Sequence, residues 1–156
     1  MDFEIAQRVF RALEQEGVQY AVFGGMALNF HGIARFTEGI DLFVAPQREN
    51  IEALKRALFA VFEDPEIDQI TADDMLGSYP AIEYVPPSGE FHLDLLTRLG
   101  NAFSFDQLEI ERIRLGDSDV SVVSPRTLYR MKRDTVRLRD RADAELIRER
   151  FGAEVE

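Results

Sequence analysis

The stretch that most limits the possible folds runs from Val22 to Val44, VFGGMALNFHGIARFTEGIDLFV. An apolar run ends at Phe23, two glycines follow at Gly24 and Gly25, and Met26 to Phe30 then has the length of a short helix. A chain that leaves a buried strand and enters a helix at once must turn sharply, and glycine permits such a turn without a Cβ in the way. Thr37 to Val44 alternates as a second strand. Ile40, Leu42 and Val44 fall on one face, and Gly39, Asp41 and Phe43 on the other. Pro46 ends it.

The remaining periodicities extend this strand–helix–strand unit. Phe3, Ala6, Val9, Phe10 and Leu13 mark an amphipathic helix that Gly17 stops, and Val18 to Phe23 reads as the first strand. Asn50 to Phe62 is a helix with Ile51, Leu54, Leu58 and Val61 on its core stripe. Ile67 and Ile70 mark a short strand, and Thr71 caps a turn of helix reaching Met75. Residues 81–85 and 90–96 alternate around a Pro86–Gly89 turn, placing His92, Asp94 and Leu96 on one face of the second strand. Phe103 to Leu108 reads as a loop with buried aromatics, and residues 110–115 and 120–123 as a hairpin. Ser124 and Pro125 open a helix running to residues 133–137, and a last helix spans Arg139 to Phe151 before Gly152. This order predicts the α+β class, a mixed β-sheet with packed helices and a C-terminal helical segment. At 156 residues the chain is expected to be one domain, with a core over about 18–123 and C-terminal helices over about 124–151.

Composition narrows the chemistry. With no cysteine, disulfides, zinc–thiolate sites and thiol catalysis are excluded, and a reducing cytoplasm is the expected location. No signal-peptide pattern and no membrane-length apolar run is visible, so no membrane partner is expected. The net charge of −11 is opposite to that of most nucleic-acid binders, yet Arg126 to Arg141 forms a locally basic patch. Its simplest reading is a solvated helix face with ion pairs such as Asp134 with Arg137.

Gly24, Gly25, Asp41 and Asp94 together suit the handling of a phosphate chain and a hard cation. Glycines let backbone approach phosphate closely, and carboxylates on neighbouring strands form an oxygen cage. Arg35 and Lys132 are candidate partners for phosphate charge. His92 shares the face of Asp94 and reads first as a surface histidine, and second as a phosphate or base contact. His31 reads as a helix cap or packing residue. Asp140 and Asp143 are expected to pair with Arg137 and Arg139, and the 12 phenylalanines to build the core.

Gly24-Gly25, then Arg35-x-Thr37-x-Gly-Ile-Asp41-Leu, then Phe-His-Leu-Asp94-Leu-Leu, then the Lys132 to Asp143 segment together resemble the nucleotidyltransferase superfamily of DNA polymerase β-like fold. The closest branch looks like the minimal nucleotidyltransferases and the AbiEii-type toxins of type IV systems. The resemblance implies transfer of a nucleoside monophosphate from an NTP to an acceptor hydroxyl on RNA or protein. It implies Mg²⁺ held by Asp41 and Asp94, and a nucleotide bound by Gly24, Gly25, Arg35 and Thr37, with Asp41, Asp94 and Lys132 catalytic. Gly39 departs from the pattern, which places the first of two metal-binding aspartates there. Adjacent Glu38 reaches the site only if the strand starts irregularly; otherwise the glycine leaves a gap for water or another acid. The alternative is therefore a catalytically reduced domain that binds nucleotide or acts as a regulatory or toxin–antitoxin partner.

Overall fold

A computed structural model describes residues 2–89, 91–99, 103–133 and 138–155. The expected Asp134–Arg137 pair and the strand residue Glu90 lie outside these residues. The first helix, α1 (Phe3–Gln15), starts where the Asp2 carboxylate accepts from the N–H groups of Glu4 and Ile5. It ends where Gly17 takes φ +65°. Its apolar stripe of Ala6, Val9, Phe10 and Leu13 is buried.

Strand β1 (Tyr20–Phe23) begins two residues later than alternation suggests. Asn50 explains the delay. Its side chain accepts from the Gln19 N–H at 2.7 Å and donates to the carbonyls of Gln19 and Ala45, both at 2.9 Å, so residue 19 bonds to a side chain as well as to strand backbone. Asn50 itself lies in the first turn of α3 (Arg48–Phe62), which therefore holds the outer ends of β1 and β2 (Gly39–Val44) together. Between those strands runs α2 (Gly24–Phe30).

The expected strand at Ile67 and Ile70 is instead a 3₁₀ turn over Pro65–Gln69. The Asp64 carboxylate caps it and Pro65 occupies its first position, so the spacing of three that buries both isoleucines belongs to a tight helix. The Asp64 carboxylate also accepts from the Tyr84 hydroxyl at 2.9 Å. Tyr84→Phe would leave a buried carboxylate oxygen short of its donor. Its expected cost is about 1–3 kcal/mol, seen as a lower urea midpoint with an unchanged slope.

After α4 (Ala72–Leu76) come β3 (Ala81–Tyr84) and β4 (His92–Leu96). The stretch expected to be a loop carries a small hairpin, β5 (Arg98–Leu99) with β6 (Phe103–Ser104), and a 3₁₀ turn over Phe105–Gln107. A tight turn at residues 116–117 joins β7 (Ile110–Leu115) to β8 (Ser118–Val123), and α5 (Pro125–Arg133) and α6 (Leu138–Phe151) close the chain. Among the described residues six strands form one mixed sheet, ordered β3-β4-β2-β1-β8-β7. The β2–β4 and β1–β8 pairs are parallel and the other three antiparallel. Gly39, Ile40, Leu42, Phe43 and Val44 are all buried, so the central strand β2 is covered on both faces and Asp41 is the polar exception. Among the described residues no helix is long and apolar enough to cross a membrane.

Candidate active site

Strand register assembles the acidic part of the site. In the parallel β2–β4 pair Asp41 lies opposite Asp94, and Gly39 opposite His92. In the antiparallel β3–β4 pair Glu83 lies opposite Asp94. Residues directly opposite one another share a face of the sheet, so Glu83, Asp94 and Asp41 form a row across three strands. The two aspartates read from the sequence meet here. Glu83 was not anticipated. Its signal was the alternation of outward Glu83 between inward Ile82 and Tyr84, which gains meaning only once the strand is paired to Asp94.

The glycine pair starts α2 rather than forming a separate turn before it. Its two members differ. Gly24 has φ +69°, and a Cβ there would lie 2.0 Å from Oδ2 of Asp41, so the site has no room for a side chain at that position. At Gly25 a Cβ would make ordinary contacts with Arg35 and Thr37, at 3.5 and 3.6 Å. Thr37 is turned toward the strand start, its Oγ1 donating to the Gly39 carbonyl at 2.8 Å.

Gly39 corrects the expectation of a gap. A Cβ at residue 39 would lie 2.3 Å from the His92 carbonyl oxygen and 3.1 Å from the His92 ring. The space of the missing aspartate is filled by His92, whose Nε2 approaches Oδ2 of Asp94 to 3.3 Å. Glu38 is exposed and borders the same cavity.

The opposite wall is cationic. Arg35, from the loop before β2, and Lys132, from α5, border a cavity of about 1080 Å³ together with Gly24, Gly25, Asp41 and Asp94. Asp143 sits between the two cations. Its Oδ2 accepts from Nζ of Lys132 at 3.0 Å, and its Oδ1 lies 3.0 Å from the Arg35 guanidinium. Asp140 adds a longer contact to Lys132 at 3.5 Å. Among the described residues Asp143 pairs with Lys132 and Arg35, and Asp140 with Lys132; the expected pairing with Arg137 lies outside those residues. The acids bind α6 to the site wall. His31 matches its expected role: it caps α2, and its buried ring lies 2.8 Å from the Val123 carbonyl through Nε2.

Burial, then a hydrogen bond that the protonated Asp41 carboxyl donates to Asp94 and the negative charge of Asp94, push the Asp41 carboxyl up to about 7, against the opposing pull of His92 and Lys132. An unfolded aspartate loses its proton near 3.9. Between those values the native state holds a proton that the unfolded chain has released, so stability falls as pH rises through this window. Carbon-13 NMR of the Asp41 carboxyl is expected to titrate near neutrality. The contribution to the fall in unfolding free energy from about pH 4 to 7 should vanish in Asp41→Asn.

Residues 8–148 match the model of the family described as "Nucleotidyl transferase AbiEii toxin, Type IV TA system". No curated protein sequence matches the chain. Among solved structures, ANT(2″)-Ia in complex with adenylyl-2″-tobramycin aligns with a TM-score of 0.57 at 15% identity, covering 98% of this chain and 92% of that one. TM1012 of Thermotoga maritima, assigned as a nucleotidyltransferase, aligns with a TM-score of 0.53 at 13% identity, covering 94% and 90%. At such identities the structural likeness establishes a shared α+β fold.

Proposed function

Because the chain belongs to the AbiEii family of nucleotidyl transferases, we propose that it transfers a nucleoside monophosphate from an NTP to an acceptor hydroxyl on RNA or protein. The observation that carries this reading is the Asp41–Asp94 pair, joined in register on the face that borders the cavity and opposed there by Lys132 and Arg35. Two carboxylates forced together in a half-buried site are costly unless a cation joins them. Their oxygen donors suit Mg²⁺. When bound, such an ion withdraws charge from the reacting phosphate.

The protein's own groups have separable tasks. Arg35 and Lys132 hold the charge of the phosphate chain, and Gly24 and Gly25 let it approach the backbone. Asp94, whose side chain is 39% exposed, takes the proton of the acceptor hydroxyl. The hydroxyl oxygen forms a bond to the α-phosphorus, the bond from that phosphorus to the bridging oxygen breaks, and pyrophosphate leaves with the electron pair. Thr37 keeps the start of β2 in place through its bond to Gly39.

The test supplies each α-³²P-labelled NTP, a divalent cation, and total RNA or total protein. Label in a macromolecule with equimolar pyrophosphate is the expected result. Lys132→Met should lower the rate about 100-fold, the typical scale for losing one charge-stabilising group. NTP binding without transfer would favour a second reading, which Gly39 supports: a nucleotide-binding regulator that lacks the first acid of the pair. Neither binding nor transfer would remove both. The family's description as a type IV toxin supports an antitoxin as functional partner.

A further inference from the structure

We infer that His92 replaces the missing first aspartate as a metal ligand, and that with Glu83 and Asp94 it makes the site selective for a transition-metal cation, Mn²⁺ or Zn²⁺, over Mg²⁺. The ligand atoms of Glu83, His92 and Asp94 all lie within 4.8 Å of one another, a group close enough to share one ion. The His92 Nε2 to Asp94 Oδ2 separation of 3.3 Å is near the spacing of two adjacent ligands on one ion, about 3 Å for metal bonds of about 2.0–2.2 Å at a right angle.

A second observation concerns the residue beside His92 on the neighbouring strand. At Gly39 any Cβ would strike the His92 carbonyl at 2.3 Å and its ring at 3.1 Å. The absence of a side chain at 39 is what lets β4 bring the imidazole to the metal-facing side. Loss of the acid and arrival of the histidine are therefore one structural change. The strand register agrees, since Gly39 is the cross-strand partner of His92 just as Asp41 is of Asp94. Asp94 then lies between Asp41 of β2 on one side and Glu83 of β3 on the other, with His92 two residues before it on β4.

The donor set decides the cation. Carboxylates alone suit Mg²⁺, Ca²⁺ and Mn²⁺, whereas an imidazole nitrogen favours the later first-row metals. One nitrogen with two carboxylates is a mixed set, and magnesium, which binds oxygen and sheds water reluctantly, gains least from it. The inference deepens the function proposed above and rests on it only for what the ion does, not for its binding.

The test uses the whole chain and the metal alone, without nucleotide. Mn²⁺ is titrated by electron paramagnetic resonance, and the bound ion is examined for nitrogen-14 modulation of its spin echo. The expected result is nitrogen modulation in the native protein and its loss in His92→Ala, with Mn²⁺ affinity at least about tenfold weaker. The preference for Mn²⁺ over Mg²⁺ should shrink in the same variant. Glu83→Gln, at an exposed position that the fold does not need, should weaken Mn²⁺ while keeping the nitrogen signal. Bound Mn²⁺ without nitrogen modulation in the native protein would overturn the inference, as would a signal that survives His92→Ala. Failure of nucleotidyl transfer in a protein that shows the nitrogen signal would overturn the proposed function and leave this site standing.

Discussion

Asp41→Asn should lose nucleotidyl transfer by about 100-fold or more and at the same time melt at a higher temperature above pH 7. The two effects have one cause. Asp41 is held in a half-buried position against Asp94, where burial and its neighbour both oppose the charged form. An asparagine keeps the shape and can donate a hydrogen bond to Asp94 without bringing a second negative charge. The native chain therefore tolerates a local instability that only a cation relieves, the usual form of a conflict between stability and activity. Label transfer and a thermal melt at pH 8 on the same preparation check both halves. Full activity in the variant would remove Asp41 from the reaction.

Gly39→Asp should destabilise the protein and fail to raise its activity. From the family pattern alone the substitution looks like a repair. The geometry gives the opposite sign, because the new Cβ would lie 2.3 Å from a backbone oxygen of the adjoining strand, which cannot rotate away. Overpacking of this kind costs about 1–3 kcal/mol, and each kcal/mol lowers the melting temperature of a chain this size by about 2–4 °C. Removing the ring as well, in Gly39→Asp with His92→Gly, relieves the 3.1 Å contacts but leaves the carbonyl. The double variant should recover only part of the loss. A single variant as stable as the native protein and more active would show that β2 and β4 separate easily and that the residue 39 position is open.

These two residues also show how far the sequence could be read. Asp41 was legible because strand alternation needs only its neighbours, and Gly24 because a strand running into a helix demands an unusual backbone. Asp94 was legible by the same alternation, although nothing local says that it faces Asp41. Glu83 was not legible, because its importance comes from an antiparallel register with β4 and a parallel register between β4 and β2, strands far apart in the chain. Gly39 was read as an empty place for the same reason: which atoms fill the space beside a glycine depends on the neighbouring strand. The 3₁₀ turn at Pro65–Gln69 is not legible because two isoleucines three residues apart fit a short apolar run as well as a tight helix. The reach of Asp143 to Arg35 was not legible, since the fold of α6 back toward the loop before β2 leaves no periodic trace.

The contact between Arg35 and Asp143 also bears on when the site comes into being. Its two residues lie far apart in the sequence, and Lys132 meets the same Asp143 of α6. During synthesis the carboxylate row can form once β4 has emerged, while the cationic wall must wait for α5 and α6. Long-range closure of this kind comes late because the loop it closes is long. Asp41 and Asp94 would thus spend the interval without their counter-charges, and a ribosome-bound chain stopped short of α6 would carry the acidic floor of the site without its Asp143-buttressed wall.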